Sequence, residues 1–493
     1  MPLLRRRKKL IEPWDSRTPL LDWCEGAPWT IGDSYAGTVI LGGTGSGKSS
    51  GSLATISKAM LSAGYGGLFL TSKVEDRATY TRYVHETGRD SDLLVFAPES
   101  DLRYNFIADE QRHSAGPVGL VENLSALLMT ISELGDRSGG GGGGQDENKY
   151  FRLEAQRLCR NGLLTLVLTG RPVTIPDLHN FITSAPQSPE QVKSEAWQDS
   201  SFCYECLQLA DAALKSESQR ADFALAISYF LNEWPGLSSR TRSVVQSTLT
   251  SVTDILSRGA CRDMLSSPTP NVSPSDMYEG AVMIADFPVL QYRDIGQTIQ
   301  CILKFMWQRA HAKRDVNTHP RPTFIAADEA QLLLVDADQH FQAVSRSTRT
   351  AVVYATQSIS GMIDAFGPNS EPQVHSLLTN LQTKLCHQQT DARTVQYFQE
   401  LVGRSRQTMM SGNQSHNDDW MAPLFGDSEG SSGGFSENMD FELQAADFNS
   451  LLKGGPPHFM TEALVYQGGR SFLDGRTWRR VGIHQRTEAR RAR

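Results

Sequence analysis

Short apolar runs separated by stretches of helical spacing dominate the first hundred positions. Thr38-Val39-Ile40-Leu41, Leu68-Phe69-Leu70 and Leu93-Leu94-Val95-Phe96 have the length and continuity of strands buried on both faces, and residues 50–63 and 77–86 read as the helices between them. Strand and helix alternating in this way predict a parallel sheet with its ligand edge at the strand C-termini. From residue 117 the period changes. Val121, Leu124, Leu128, Ile131 and Leu134 recur at helical spacing. Helical patterns continue over 150–168, 178–183, 221–231 and 244–256, the last with Val245, Leu249, Val252 and Ile255 on one face and Gly259 as its C-cap. Strand patterns resume at Val282–Ala285, Thr323–Ala327, 351–356 and Thr383–Cys386.

The pattern predicts an α/β fold in which one mostly parallel sheet is split by an inserted all-α domain. Residues 36–116 and 261–468 form the discontinuous sheet domain, and residues 117–260 form the insertion. The six glycines 139–144 are expected to be a flexible exposed loop, and the Ser-, Gly-, Asn- and Asp-rich stretch 411–440 a long mobile loop. Residues 1–35 are set apart as a basic N-terminal segment and 469–493 as a basic C-terminal tail.

Composition changes this picture little. The 493 residues are 39% hydrophobic and 21% charged, as in ordinary soluble proteins, and the length corresponds to about three domains. No stretch approaches the roughly 18 uninterrupted apolar residues of a membrane span, and no apolar segment follows the basic run Arg5-Arg6-Arg7-Lys8-Lys9 as a signal peptide requires. Seven cysteines, few and odd in number, fit a reduced cytoplasmic setting. The Cys203-x-x-Cys206 pair has no second pair or His cluster to complete a metal site, and reads as two small apolar residues on a helix. Charge is uneven. The net value of −7 combines +5 over residues 1–9 and +6 over 470–493 with an acidic body of −18. The basic ends suit nucleic acid, anionic lipid or simple solubility.

The chemistry is concentrated in Gly42-Gly43-Thr44-Gly45-Ser46-Gly47-Lys48-Ser49, which fits G-x-x-x-x-G-K-[ST] at every fixed position, follows a strand pattern and precedes a helix starting at Ser50. Glycines there let successive N–H groups curl around a β-phosphate at the positive end of a helix. Lys48 is the residue to bridge the β- and γ-phosphates of ATP, and Ser49 a ligand for Mg²⁺. Thr323-Phe324-Ile325-Ala326-Ala327-Asp328-Glu329 supplies the distant partner, a buried strand ending in adjacent carboxylates. Asp328 is expected to hold Mg²⁺ through its shell and Glu329 to act as general base on water. Gln357, ending the next strand pattern, is placed to sense the γ-phosphate. Arg346 and Arg349, on a helix end before it, are alternative arginine fingers for a neighbouring subunit.

The order of these features resembles the type IV secretion coupling proteins, DNA-pumping ATPases of the FtsK/HerA superfamily with a RecA-like P-loop domain. Leu68-Phe69-Leu70-Thr71-Ser72-Lys73-Val74-Glu75-Asp76 is similar to the family's second strand and its Asp-Pro-Lys-Gly-Glu turn, without the Asp-Pro and Gly. Leu94-Val95-Phe96-Ala97-Pro98 with Tyr104-Asn105-Phe106, Gln357-Ser358, Thr379-Asn380-Leu381 and Thr390-Asp391-Ala392-Arg393-Thr394 resemble later family segments. The resemblance covers about residues 36–410 and, more weakly, 440–468. It implies a cytoplasmic ring ATPase, commonly a hexamer, that uses ATP and Mg²⁺ to move DNA. Relaxase or effector cargo and secretion-channel proteins are the implied partners, reached at the inner membrane. The family usually begins with transmembrane helices, for which this sequence shows no pattern. Two alternatives stay open: a soluble HerA-like translocase paired with a nuclease, and a nucleotide-regulated adaptor that recruits cargo.

Overall fold

The structure, a computed structural model, describes residues 13–113, 117–139, 145–367, 370–415 and 430–485. A short antiparallel pair, β1 (Pro19–Asp22) and β2 (Pro28–Thr30), precedes the main sheet. That sheet is built from β3 (Thr38–Leu41), β4 (Gly66–Leu70), β5 (Leu93–Phe96), β6 (Val282–Ala285), β7 (Thr323–Ala327), β8 (Thr350–Thr356) and β9 (Thr383–Cys386). After a ribbon of β10 (Arg404–Ser415) and β11 (Gly430–Phe441), the chain adds β12 (Met460–Gln467) and β13 (Trp478–His484). Among the described residues the order across the sheet is β13-β12-β9-β3-β8-β7-β4-β6-β5. The seven strands from β9 to β5 run parallel, β12 is antiparallel to β9, and β13 is antiparallel to β12.

Side chains on these strands alternate between two cores, as a period of two requires. Val39, Leu41, Leu68, Leu70, Ile325 and Ala327 face a core shared with the helical block. Ile40, Phe69, Phe324 and Ala326 face the other, filled by Ile56, Met60, Tyr80, Val84 and Trp29. Both faces are covered, which explains the unbroken apolar runs in the sequence. The helical block packs Pro117–Gly139, Gln145–Leu168 and Ser239–Leu256 against one another, with Leu124, Leu128, Leu158, Leu163, Val245 and Leu249 buried between them. Cys203 and Cys206 are buried in helix Phe202–Ala212 as small apolar residues. No helix among the described residues is long and apolar enough to cross a membrane.

Four sequence expectations are corrected. Gly259 does not cap the helix before it. Ser257 closes Ser239–Leu256, and Gly259, at φ 47°, opens the helix Gly259–Leu265. Residues 404–415 and 430–441 are paired in the ribbon β10–β11, so much of the expected loop 411–440 is strand, and 416–429 lie outside the described residues. The segment before residue 36 is not merely basic: Trp23, Ala27, Trp29 and Ile31 are buried, and Trp29 Nε1 donates to Thr383 Oγ1 at 3.2 Å. The C-terminal tail contributes β13, where Val481 and Ile483 turn inward between exposed neighbours. Its arginines conceal that alternation in the sequence: Arg479 and Arg480 are both exposed, paired with Asp474 and Glu462. The expected glycine loop falls outside the described residues apart from Gly139, the last residue of its helix.

Candidate nucleotide site

Strand order sets the site. β8 lies between β3 and β7, so the loop after β3, the carboxylates after β7 and the glutamine after β8 emerge side by side at one sheet edge. Residues 43–50 of the loop, Lys73, Glu329 and Gln357 line an open cleft of about 320 Å³. Gly45 and Gly47 take φ values of 74° and 88°, a region that favours glycine, and open space surrounds the Cβ position of Gly45. Lys48 begins a six-residue π-helical turn, Lys48–Leu53, that runs into helix Ala54–Ser62. Wide turns of this kind recur at functional sites.

The charged groups meet inside this frame. Lys48 Nζ is 3.0 Å from Glu329 Oε1 and 3.9 Å from Asp328 Oδ1. Ser49 Oγ donates to Asp328 Oδ2 at 2.6 Å, the pair of oxygens that a shared Mg²⁺ requires. Gln357 Nε2 reaches Glu329 Oε1 at 3.4 Å, and Gln389 Nε2 anchors the Gln357 carbonyl at 2.7 Å. Glu329 itself sits at φ 48°, ψ 44°, in left-handed backbone that non-glycine residues seldom occupy. Burial would raise its carboxyl, but the Gln331 hydrogen bond and the Lys48 and Lys73 cations outweigh that and bring it to about 2. The loop, the hydroxyl–carboxylate pair and the two lysines together fit a magnesium-bound triphosphate.

Two contributors escape the motif reading. Lys73, in the turn after β4, reaches both carboxylates, at 3.4 Å from Glu329 and 3.6 Å from Asp328. Burial lowers its ammonium, yet the two carboxylates hold it above its ordinary value. Asp76 shapes that turn by accepting from the N–H groups of Ser72 and Lys73, and Ser72 Oγ donates to the Asp328 carbonyl. Lys73 lies within the family-like turn, and its position at a strand C-terminus beside β7 is the signal that could have identified it. Gln331 links Glu329 Oε2, at 2.8 Å, to Thr356 Oγ1, at 2.7 Å. No spacing in the sequence marks it.

Arg346 and Arg349 stand apart from this cleft. Arg346 is exposed at the end of helix Ala337–Ser345, and Arg349 donates to the Pro320 carbonyl at 3.2 Å. Both precede β8, whereas Gln357 follows it, so the strand separates them from their own cleft by about 23 Å at roughly 3.3 Å per residue. The segment Thr390 to Thr394 is structural here. Asp391 caps helix Ala392–Val402 and accepts from Ser360, while Thr394 Oγ1 accepts from the Ile359 N–H, which fixes the helix that follows Gln357.

Residues 322–441 match the family described as the TraM recognition site of TraD and TraG. No curated protein matches the chain. Among solved structures, the unbound monoclinic form of the bacterial conjugative coupling protein TrwBdeltaN70 aligns with a TM-score of 0.58 at 13% identity, over 99% of this chain and 91% of that one. This chain has the coupling-protein fold. The plasmid coupling protein TrwB with the non-hydrolysable GTP analogue GDPNP aligns at 0.57 and 13% identity, covering 98% and 92%. TrwB with ADP and Mg²⁺ aligns at 0.54 and 14%, covering 98% and 93%. The TraD/TraG match covers the segment that carries Asp328, Glu329 and Gln357.

Proposed function

We propose that this chain is an ATP-driven motor of the type IV coupling kind, which moves DNA or a DNA–protein substrate through a ring of its own copies. The observation that carries the reading is the convergence of Lys48, Ser49, Asp328, Glu329 and Gln357 on one open cleft of a coupling-protein sheet. ATP is the proposed substrate and Mg²⁺ its metal, in keeping with the nucleotide and Mg²⁺ complexes of TrwB. Bound Mg²⁺ supplies charge neutralisation at the phosphates. Lys48 orients the β- and γ-phosphates, Ser49 and Asp328 hold the metal, and Gln357 positions water for Glu329 to deprotonate. Arg346 or Arg349 enters the cleft of the adjacent subunit, since neither lies at its own. A hexamer is the proposed ring, and a TraM-like protein, suggested by the family description over 322–441, is its proposed route to cargo and channel.

Purified protein assayed for ATP hydrolysis with and without single- and double-stranded DNA, together with particle symmetry, tests the proposal. A several-fold stimulation by DNA and a closed six-fold ring are expected. Tight nucleotide binding with a rate indifferent to DNA would favour the adaptor instead.

A further inference from the structure

The phosphate loop is held from behind by a residue 415 positions away. Thr461, on β12, donates its hydroxyl to the Ser46 carbonyl at 2.6 Å and also lies 3.2 Å from the Leu452 carbonyl. Its side chain nests against two glycines of the loop and the following turn. A Cβ at Gly47 would meet Thr461 Oγ1 at 2.7 Å, and one at Gly51 would meet Thr461 Cγ2 at 2.5 Å. Glycine at both positions therefore admits the strand to within hydrogen-bonding reach of the loop, beyond what phosphate binding alone asks of them.

The hydroxyl is itself oriented. His387, which follows β9, places Nδ1 3.2 Å from Thr461 Oγ1 and Nε2 2.7 Å from Ser52 Oγ. Ser46, Ser52, His387 and Thr461 are all fully buried. A hydroxyl carries one proton, and Thr461 gives it to the Ser46 carbonyl. With that proton directed at the Ser46 carbonyl, the imidazole tautomer that completes the chain donates from Nδ1 to Thr461 and accepts from Ser52 at Nε2. The result is a directed chain from the first helical turn, through the sheet, back to the phosphate loop.

We propose that Thr461 is a positioning residue for nucleotide binding, with His387 and Ser52 fixing the direction of its hydroxyl. The physical reason is peptide planarity. In a trans peptide the carbonyl and the next N–H point in opposite directions. Pinning the Ser46 carbonyl toward β12 turns the Gly47 N–H away from β12, to the side on which the loop cradles phosphate. The C-terminal strand thereby pre-orders one donor of the cradle, and binding does not have to order it. This role rests on the reading of the loop as a phosphate site, and it adds a residue outside every motif of that site.

The test uses the full chain and a fluorescent ATP analogue, with Lys48→Ala as the binding-deficient control. Thr461→Val keeps the shape and removes the donor, and Thr461→Ser keeps the donor. Loss of one neutral hydrogen bond corresponds to about a fivefold weakening. Thr461→Val is therefore expected to raise Kd and KM for ATP by about that factor while kcat stays near wild type, and Thr461→Ser to stay within about twofold. Ser52→Ala, which breaks the chain at its far end without touching the loop, should raise Kd less, and gives a second reading if Thr461→Val folds poorly. Unchanged affinity in Thr461→Val, or equal weakening in Thr461→Ser, would overturn the role of Thr461. A wild-type chain that binds no more nucleotide than Lys48→Ala would overturn the nucleotide reading as well.

Discussion

Lys48 Nζ and Glu329 Oε1 are 3.0 Å apart, so the cation proposed for the phosphates is paired with the carboxylate proposed as the base for water. The two roles are mutually exclusive in this geometry. The Gln331 hydrogen bond, Lys48 and Lys73 together hold Glu329 at about 2, where it is a weak base. On the proposed roles, phosphates that draw Lys48 away remove its share of that hold, so the base gains strength when substrate is in place.

Removing either partner separates binding from turnover. Lys48→Ala loses the bridging charge and is expected to abolish nucleotide binding and hydrolysis together. Glu329→Gln keeps the shape and leaves Lys48 free for the phosphates. It should bind ATP at least as tightly as wild type while turnover falls by about 10²- to 10⁴-fold, the usual contribution of a general base. Equilibrium binding and steady-state rates on the same preparations check both. Normal hydrolysis by Glu329→Gln would remove Glu329 from the role of base.

Lys73 has a different expected signature. Once Lys48 has moved to the phosphates, Lys73 is the cation left beside Glu329 and Asp328. Its side chain is 38% exposed, which weakens the interaction through solvent. Lys73→Ala is expected to lower kcat by about tenfold, the low end for a charge-assisted hydrogen bond, with little change in nucleotide affinity. A pure binding defect would contradict this.

Arg346 and Arg349 are distinguished by mixing subunits. A finger supplied in trans contributes about 10³-fold or more to hydrolysis. Rings combining the arginine variant with Glu329→Gln subunits should therefore recover part of the activity that each homogeneous ring lacks. Wild-type rates in both Arg346→Ala and Arg349→Ala would exclude the pair.

Acid should expose His387. Burial pushes its imidazole down to about 4, the Glu462 carbonyl opposes that, and Lys48 adds to the fall. The folded value lies below the ordinary 6.5, so the unfolded chain binds the extra proton first. Stability linked to this group is complete above about 6.5 and is lost as pH falls toward 4, by about 3 kcal/mol in all. Melting midpoints followed from pH 7.5 to 4.5 should fall less steeply in His387→Gln than in wild type. Parallel slopes would contradict the assignment.

The parallel strands and the phosphate loop are legible in the sequence because each imposes its own rule. Burial on both faces requires continuous apolar runs such as Thr38–Leu41, and the phosphate cradle requires glycines at fixed offsets from Lys48. Asp328 and Glu329 are legible for the same reason, as charge at the end of an otherwise apolar strand. Lys73, Gln331 and Thr461 carry no such rule. They reach the site through the strand order β3-β8-β7-β4 and through the closure of β12 on β9, which bring together residues hundreds of positions apart. The edge strand β13 was hidden by its arginines, because only Val481 and Ile483 turn inward.

Movement along DNA is the central claim, and displacement of a protein roadblock from DNA measures it most directly. Wild-type protein with ATP and Mg²⁺ should release the roadblock at a rate that tracks hydrolysis. Glu329→Gln, or wild type with a non-hydrolysable ATP analogue, should bind the DNA and leave the roadblock in place. Hydrolysis stimulated by DNA without any displacement, or displacement undiminished in Glu329→Gln, would contradict a motor driven from this site.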